Sequence, residues 1–191
     1  AAGGTQPITA TDNGGTMTCV DYNKNPSGHY QSYCWMVATT TGSMSTTVNL
    51  SAQGSMGVNL ITLKDTHQTN PVHLQALSMG GGATTTLTNL FDGVASSTTF
   101  ANELLVKQVN IGDAFTITDG ADETNWDGTG SYGASSRYRI STKVATTTGA
   151  YSMISSFSSS VSADQSAIAI QPVSVLVSTP PSIESDFLIF E

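Results

Sequence analysis

The densest chemistry in this sequence is acidic. Asp113, Asp119, Asp122, Glu123 and Asp127 place five of the 14 carboxylates within 15 residues. The run Asp119-Gly120-Ala121-Asp122-Glu123-Thr124-Asn125-Trp126-Asp127-Gly128 sets hard oxygen ligands on a glycine-containing turn, which is what Ca²⁺ takes. Asp119, Asp122, Glu123 and Asp127 are therefore the candidate metal ligands. The order departs from an EF-hand, because Ala134 stands where that loop closes on Glu. The competing reading is an acidic loop facing solvent. A carboxylate pair for glycoside hydrolysis needs a set separation, and nothing in the spacing supplies one.

His67 and His73 flank residues 68–72, with Asp65 close by. A His/Asp set is raw material for a metal site or a catalytic triad. No Gly-x-Ser-x-Gly turn accompanies it, and with 28 Thr and 25 Ser no single hydroxyl stands out as a nucleophile. No catalytic residue is assigned, and the protein is read as non-enzymatic. His29 stands beside a turn and reads as solvent-facing. Tyr22, Tyr30, Tyr33, Trp35, Trp126, Tyr132 and Tyr138 are the aromatic candidates for a sugar platform. Trp35 better suits a core, while Trp126, in a polar stretch, suits an exposed contact.

The two cysteines carry the sharpest local signal. Residues 16–22 run into Asn25-Pro26-Ser27-Gly28, and residues 29–37 run out of it. That tetrapeptide suits a type I turn, with Pro second and Gly fourth. A turn centred between positions 26 and 27 pairs residues whose numbers sum to 53, and Cys19 and Cys34 meet that condition. The expectation is a cross-strand Cys19–Cys34 disulfide, worth about 3 kcal/mol for such a loop. Two free thiols are the alternative. A metal site would need further Cys or His at ligand spacing.

The elements that position these groups are strands. Charged residues make up only 10% of the 191, while Thr, Ser and Gly abound, and this composition favours sheet and turn over helix. Short β-branched runs fall at 16–22, 30–38, 45–51, 57–64, 73–78, 103–109, 114–118, 136–144, 150–157, 165–170 and 173–177. In Arg137–Val144 the charges share one face and Tyr138, Ile140 and Val144 the other. Ala167-Ile168-Ala169-Ile170 is apolar on both faces and suits a central strand. Residues 79–102 read as a long Gly/Thr/Ser connection pinned by Leu87, Leu90, Phe91 and Phe100. The fold class expected is all-β: an antiparallel β-sandwich, Ig-like or jelly-roll-like, completed by a donated terminal strand. One domain over 1–178 and an apolar arm over 179–191 is the division expected.

Charge and hydropathy exclude several roles. A net charge of −8 leaves no excess of Lys or Arg for nucleic acid or an anionic membrane surface. No apolar run approaches the length of a spanning helix. The opening Ala1-Ala2-Gly3-Gly4 is what signal-peptidase cleavage leaves, so an extracellular or cell-surface location is expected. Asn49-Leu50-Ser51 is a formal glycosylation sequon in a chain rich in hydroxyls.

Six motifs in order carry a family resemblance. Thr11-Asp12-Asn13-Gly14-Gly15-Thr16-Met17-Thr18 is followed by Thr47-Val48-Asn49-Leu50-Ser51, then by the segment 63–72 ending Asn70-Pro71-Val72. Ala101-Asn102-Glu103-Leu104-Leu105-Val106, Val144–Ser152 and Ser162-Ala163-Asp164-Gln165-Ser166-Ala167-Ile168-Ala169-Ile170 complete the series. Together they resemble a β-sandwich module common in large secreted bacterial proteins, marked by TDNGG, NPV, ANELLV and SADxxAIA motifs. The resemblance spans about residues 11–172 and implies an extracellular β-sandwich; the family has no well-established activity. Two departures matter. Such modules open with an apolar strand before the TDNGG turn, and Ala1 to Gln6 do not supply one. They also end soon after the last motif, whereas here Val173–Val177, the spacer Ser178-Thr179-Pro180-Pro181 and Phe187-Leu188-Ile189-Phe190 follow.

A missing strand and a surplus apolar segment are complementary defects. Burying each large apolar side chain contributes about 1.5–3 kcal/mol. A sheet lacking a strand exposes unpaired backbone groups. Phe187, Leu188, Ile189 and Phe190 are therefore the candidate assembly strand, docking in cis or in the next copy. Donation to the next copy is head-to-tail and propagates as a filament. The expected function is a structural subunit of a self-assembling, pilus-like filament or surface appendage, with copies of itself as partners. The alternatives are a secreted carbohydrate-binding adhesin module with a glycan partner, or a virion surface protein.

Overall fold

Thr, Ser and Val keep more of their preferred rotamers on a pleated strand than on a helix. The computed structural model follows that preference: its described residues form strands and no helix. They are 8–12, 15–22, 31–37, 45–50, 58–67, 69–91, 98, 100–112, 114–132, 136–172 and 182–190. The strands are β1 (Ile8–Asp12), β2 (Gly15–Thr16), β3 (Thr18–Tyr22), β4 (Gln31–Trp35), β5 (Thr46–Leu50), β6 (Val58–Lys64) and β7 (Val72–Phe91). They continue with β8 (Glu103–Ile111), β9 (Ile117–Asp119), β10 (Thr124–Tyr132), β11 (Ser136–Ala145), β12 (Tyr151–Ile170) and β13 (Ser182–Phe190). Every pairing resolved between them is antiparallel.

The chain divides into two compact units, one of Ala1–Lys64 with Ile183–Glu191 and one of Asp65–Ser182. The span 1–178, read from sequence as one domain, is thus divided after Lys64, and the end of the arm joins the first unit.

The first unit holds two sheets, ordered β2-β1-β5 and β3-β4-β13-β6. The hairpin β3–β4 has the register that its turn sequence dictates: Thr18 faces Trp35, Cys19 faces Cys34 and Val20 faces Tyr33. Cys19 and Cys34 are joined as a disulfide. Tyr33 and Cys34 are fully buried. On its other side β4 pairs with β13, with Leu188 opposite Cys34 and Phe187 opposite Trp35. The strand 182–190 therefore lies inside this sheet, between β4 and β6.

The second unit is one six-stranded sheet, ordered β10-β11-β8-β12-β7, with β9 also paired to β12. Two strands of 20 residues shape it. β7 continues to Phe91, so residues 79–91 are strand, not the connection expected from their Gly and Thr content. Their hydrogen-bond partner is β12, from Tyr151 opposite Phe91 to Ile170 opposite Val72. Long-range pairing overrides the weak local preference of Gly80, Gly81 and Gly82. Likewise 158–164, expected as a break between strands, is part of β12. Register shifts between Ser156 and Val161, and between Val161 and Ala163, bend the strand there.

That bend lets the two halves of β12 share a core. One cluster joins Phe91 and Met153 to Leu105, Ala145, Ala167 and Ala169. A second joins Leu87, Ile117, Phe157 and Val161 to Val109, Ile111 and Ala163. All nine residues of β8 are buried, as befits a strand with neighbours on both sides and cover on both faces. The sequence-expected strand 173–177 lies outside the described residues.

Candidate functional site

Lys107 is the origin of the site. Alternation along β8 sends Leu105, Val109 and Ile111 into the two clusters, and it carries Lys107 to the same face. The side chain is fully buried, at 0% exposure. An uncompensated buried ammonium costs several kcal/mol. Compensation comes from three neighbouring elements. Asp119, at the end of β9, places Oδ1 3.0 Å from Lys107 Nζ. The turn that follows β9 returns Glu123, whose Oε2 lies 2.5 Å from Nζ. Nζ also donates to the Ile154 carbonyl of β12 at 2.7 Å. Each of the three ammonium protons thus has an acceptor.

β11 completes the set. Ser141 lies directly opposite Lys107, and Arg139 opposite Val109, so both share the face of Lys107. The Ser141 hydroxyl donates to Glu123 Oε2 at 2.9 Å, and Arg139 Nε donates to Asp119 Oδ2 at 2.5 Å. The Ile154 N–H donates to Glu123 Oε1 at 2.7 Å. Two cations meet two carboxylates, and all four carboxylate oxygens are engaged. The Asp119 and Glu123 side chains are 7% and 1% exposed. Charge-assisted bonds in this number are what keeps a buried ion cluster viable.

The local sequence of the turn makes the approach possible. The Gly120 N–H donates to the Ile154 carbonyl at 2.8 Å, tying the turn to β12. Asp122 adopts φ 63°, a left-handed conformation that Asp tolerates better than most residues. A Cβ on Gly120 would sit 2.7 Å from Glu123 Oε1 and 3.2 Å from Ile154 Cβ. Any side chain there would have to push the Glu123 carboxylate aside.

A second buried acid, Glu103, stands on the same face of β8, four residues before Lys107. Glu103 is 0% exposed and its Oε1 lies 2.7 Å from His73 Nδ1 on β7. The His73 ring meets Phe100 edge-on, with centroids 5.2 Å apart. Glu103 Oε2 has no hydrogen-bond partner. Burial raises the Glu103 carboxyl from 4.5 to about 7 and lowers His73 below its ordinary 6.5.

The candidates named from sequence separate accordingly. Asp119 and Glu123 come together, but around Lys107 and Arg139. A calcium ion bound by them would first have to displace both cations. Asp122 is exposed on the turn. Asp127 lies on β10, which begins at Thr124, so the expected acidic loop is strand in its second half. The Asp127 side chain and the whole of Asp113 lie outside the described residues. Among the described residues no three His, Cys, Asp or Glu side chains gather as a metal-binding group. His67 is apart from His73 in role: its Nδ1 accepts the N–H groups of Thr69 and Asn70 at 3.3 and 3.1 Å, ordering the turn. Asp65 is exposed.

Trp126 is 44% exposed, and its Nε1 donates to Thr142 Oγ1 at 2.5 Å. Thr142 also lines an open cleft of about 550 Å³ with Asp122, Thr124, Lys143, Val144, Thr146 and Tyr151. Tyr33 is in the core and Trp35 half-buried. His29 and Tyr30, and the side chains of Tyr22, Tyr132 and Phe187 to Phe190, lie outside the described residues. The residues that sequence reasoning missed are Lys107, Arg139, Ser141 and Glu103. Parity held the signal for two of them: Glu103 and Lys107 share the alternation of Leu105, Val109 and Ile111. A charge on that stripe demands a buried partner. No family model, curated protein or solved structure matches the chain.

Proposed function

We propose that this protein is a non-enzymatic extracellular structural subunit whose copies join head to tail by exchanging the strand β13. The observation that carries this reading is the place of β13 between β4 and β6. Withdrawing that strand would leave two facing rows of unpaired N–H and C=O groups. The same strand from a second copy carries the same backbone groups and can fill the same slot. Exchange of an identical element between protomers is a low-cost route to assembly. The Pro180-Pro181 spacer favours an extended arm, which suits reach to a neighbour. The Cys19–Cys34 disulfide staples the hairpin that forms one wall of the slot, and disulfides of this kind persist in oxidising surroundings.

Negative-stain electron microscopy of the full chain beside a version ending at Ser178 tests the reading. Filaments in the first sample that vanish in the second are the expected result. Single particles in both samples would overturn it. A glycan-binding module is the second reading, favoured by the exposed Trp126 ring, fixed through Thr142 beside a hydroxyl-rich cleft. Glycan-array binding lost in Trp126→Ala, without filaments, would decide for it.

A further inference from the structure

We propose that Lys107 and Asp119 condense into an intramolecular isopeptide bond from Nζ to Cγ, with Glu123 moving the protons and Arg139 stabilising the charge that develops on Asp119. The proposal is independent of how copies assemble. It rests on the placement of four side chains. The amine is 0% exposed and held 3.0 Å from Asp119 Oδ1, one atom from the carbon it would attack. Three strands and a turn fix both groups, so the reaction is intramolecular and pre-oriented. The Lys107, Glu123 and Asp119 side chains are 0%, 1% and 7% exposed, and a site so closed to bulk water favours amide formation over hydrolysis.

The two carboxylates have different surroundings, and these assign their roles. Glu123 Oε2 is the oxygen nearest Nζ, at 2.5 Å, and Glu123 is fixed in place by Ser141 and the Ile154 N–H. It suits proton transfer. Asp119 Oδ2 faces the Arg139 guanidinium, a positive group placed where a tetrahedral intermediate puts its negative charge. Asp119 suits the role of acceptor.

The balance closes without an oxidant or a co-reactant. Glu123 takes one proton from the Lys107 ammonium and passes it to Asp119 Oδ1, leaving an amine beside a carboxylic acid. The amine attacks Cγ, and the negative charge gathers on Oδ2 against Arg139. Glu123 then moves a second proton from the nitrogen to Oδ1, which leaves as water while the carbonyl re-forms. Of the three ammonium protons, one stays on the amide nitrogen and two depart in the water. An ammonium and a carboxylate become a neutral amide, and Arg139 and Glu123 remain as a balanced pair.

Mass spectrometry of the intact, disulfide-bonded full chain is the test. The expected mass is one water below that of the disulfide-bonded chain without the Lys107–Asp119 bond. Asp119-Gly120 can also lose water by forming a succinimide, so the loss must be located. Trypsin cleaves after an unmodified Lys107 and not after an acylated one. The expected digest therefore contains Asp65–Arg137 as one uncut, dehydrated peptide whose fragment ions link Lys107 to Asp119. Glu123→Gln is expected to show the mass of its own disulfide-bonded sequence with no water lost, and to restore cleavage at Lys107. A wild-type chain at the mass of the disulfide-bonded sequence with no water lost would overturn the proposal, and so would a dehydrated chain still cleaved after Lys107. This reading uses the wild-type protein alone, so a variant that fails to fold does not blunt it.

Discussion

Lys107 and Glu103 stand on one strand, on one face, and both are fully buried, yet their surroundings treat charge in opposite ways. Around Lys107, Asp119, Glu123, Arg139 and Ser141 engage every charged atom. Around Glu103, His73 reaches one oxygen and the other has no partner. The difference shows that burial alone does not decide whether a group keeps its charge. A complete set of partners holds an ion pair in place, whereas a half-complete set favours the neutral acid. The first arrangement spans four elements, β8, β9, β11 and β12. The second joins β7 and β8.

Removing the Lys107 nitrogen, which supplies both the ion pair and the bond proposed from it, breaks this comparison most severely. Lys107→Met leaves Asp119 and Glu123 buried with Arg139 as their remaining cation. The expected loss is at least about 3–5 kcal/mol, the cost of breaking a buried pair from one side, and the strand-to-strand bond is lost with it. Urea unfolding of variant and parent measures it, and a loss below about 1 kcal/mol, the scale of an exposed pair, would show that the cluster is solvated. A smaller perturbation keeps all the charges and shifts one carboxylate. Gly120→Ala puts a methyl where Glu123 Oε1 approaches, with an expected cost of about 1–3 kcal/mol. If its unfolding midpoint equals that of the parent, Glu123 is not held by the turn.

The smallest effect is a tilt of stability with pH at the second pair. Glu103 has its folded value raised to about 7. Between about pH 4.5 and 7 the folded chain keeps a proton that the unfolded chain releases, so this contribution to stability falls as pH rises. His73 has its folded value lowered. Below 6.5 the unfolded chain takes up a proton that the folded chain refuses, so this contribution rises with pH. The parent sums two opposed slopes. Glu103→Gln is expected to tilt the difference profile upward with pH, and His73→Phe downward. Thermal unfolding from pH 5 to 8 reads both, and parallel profiles for all three proteins would contradict a shared buried pair.

Parts of this were legible in the residues themselves. The β3–β4 register and its disulfide agree with the pairing sum of 53 read from Pro26, Gly28 and the numbers 19 and 34, while the turn itself, at 25–28, lies outside the described residues. The lone Lys107 in the stripe of Leu105, Val109 and Ile111 was visible as well, although its meaning was not. Its carboxylate partners Asp119 and Glu123 lie 12 and 16 positions away by number, and Arg139 and Ser141, which hold those carboxylates, lie 32 and 34 away. No short-range rule selects those four among many acidic and hydroxyl residues. The acidic run is visible in the sequence, but spacing shows carboxylates and not the cations that meet them.

What the sequence determined by itself is the all-β class, the hairpin and the alternation that buries one face of each strand. These follow from side-chain branching, turn geometry and the two-residue period of a strand, all of which act locally. Tertiary structure decided the rest: that residues 79–91 and 158–164 are strand, that β13 lies between β4 and β6, and that two carboxylates close on Lys107. Each of these depends on which distant backbone supplies the missing hydrogen bonds. That choice is settled by the free energy of the whole sheet, not by any one segment.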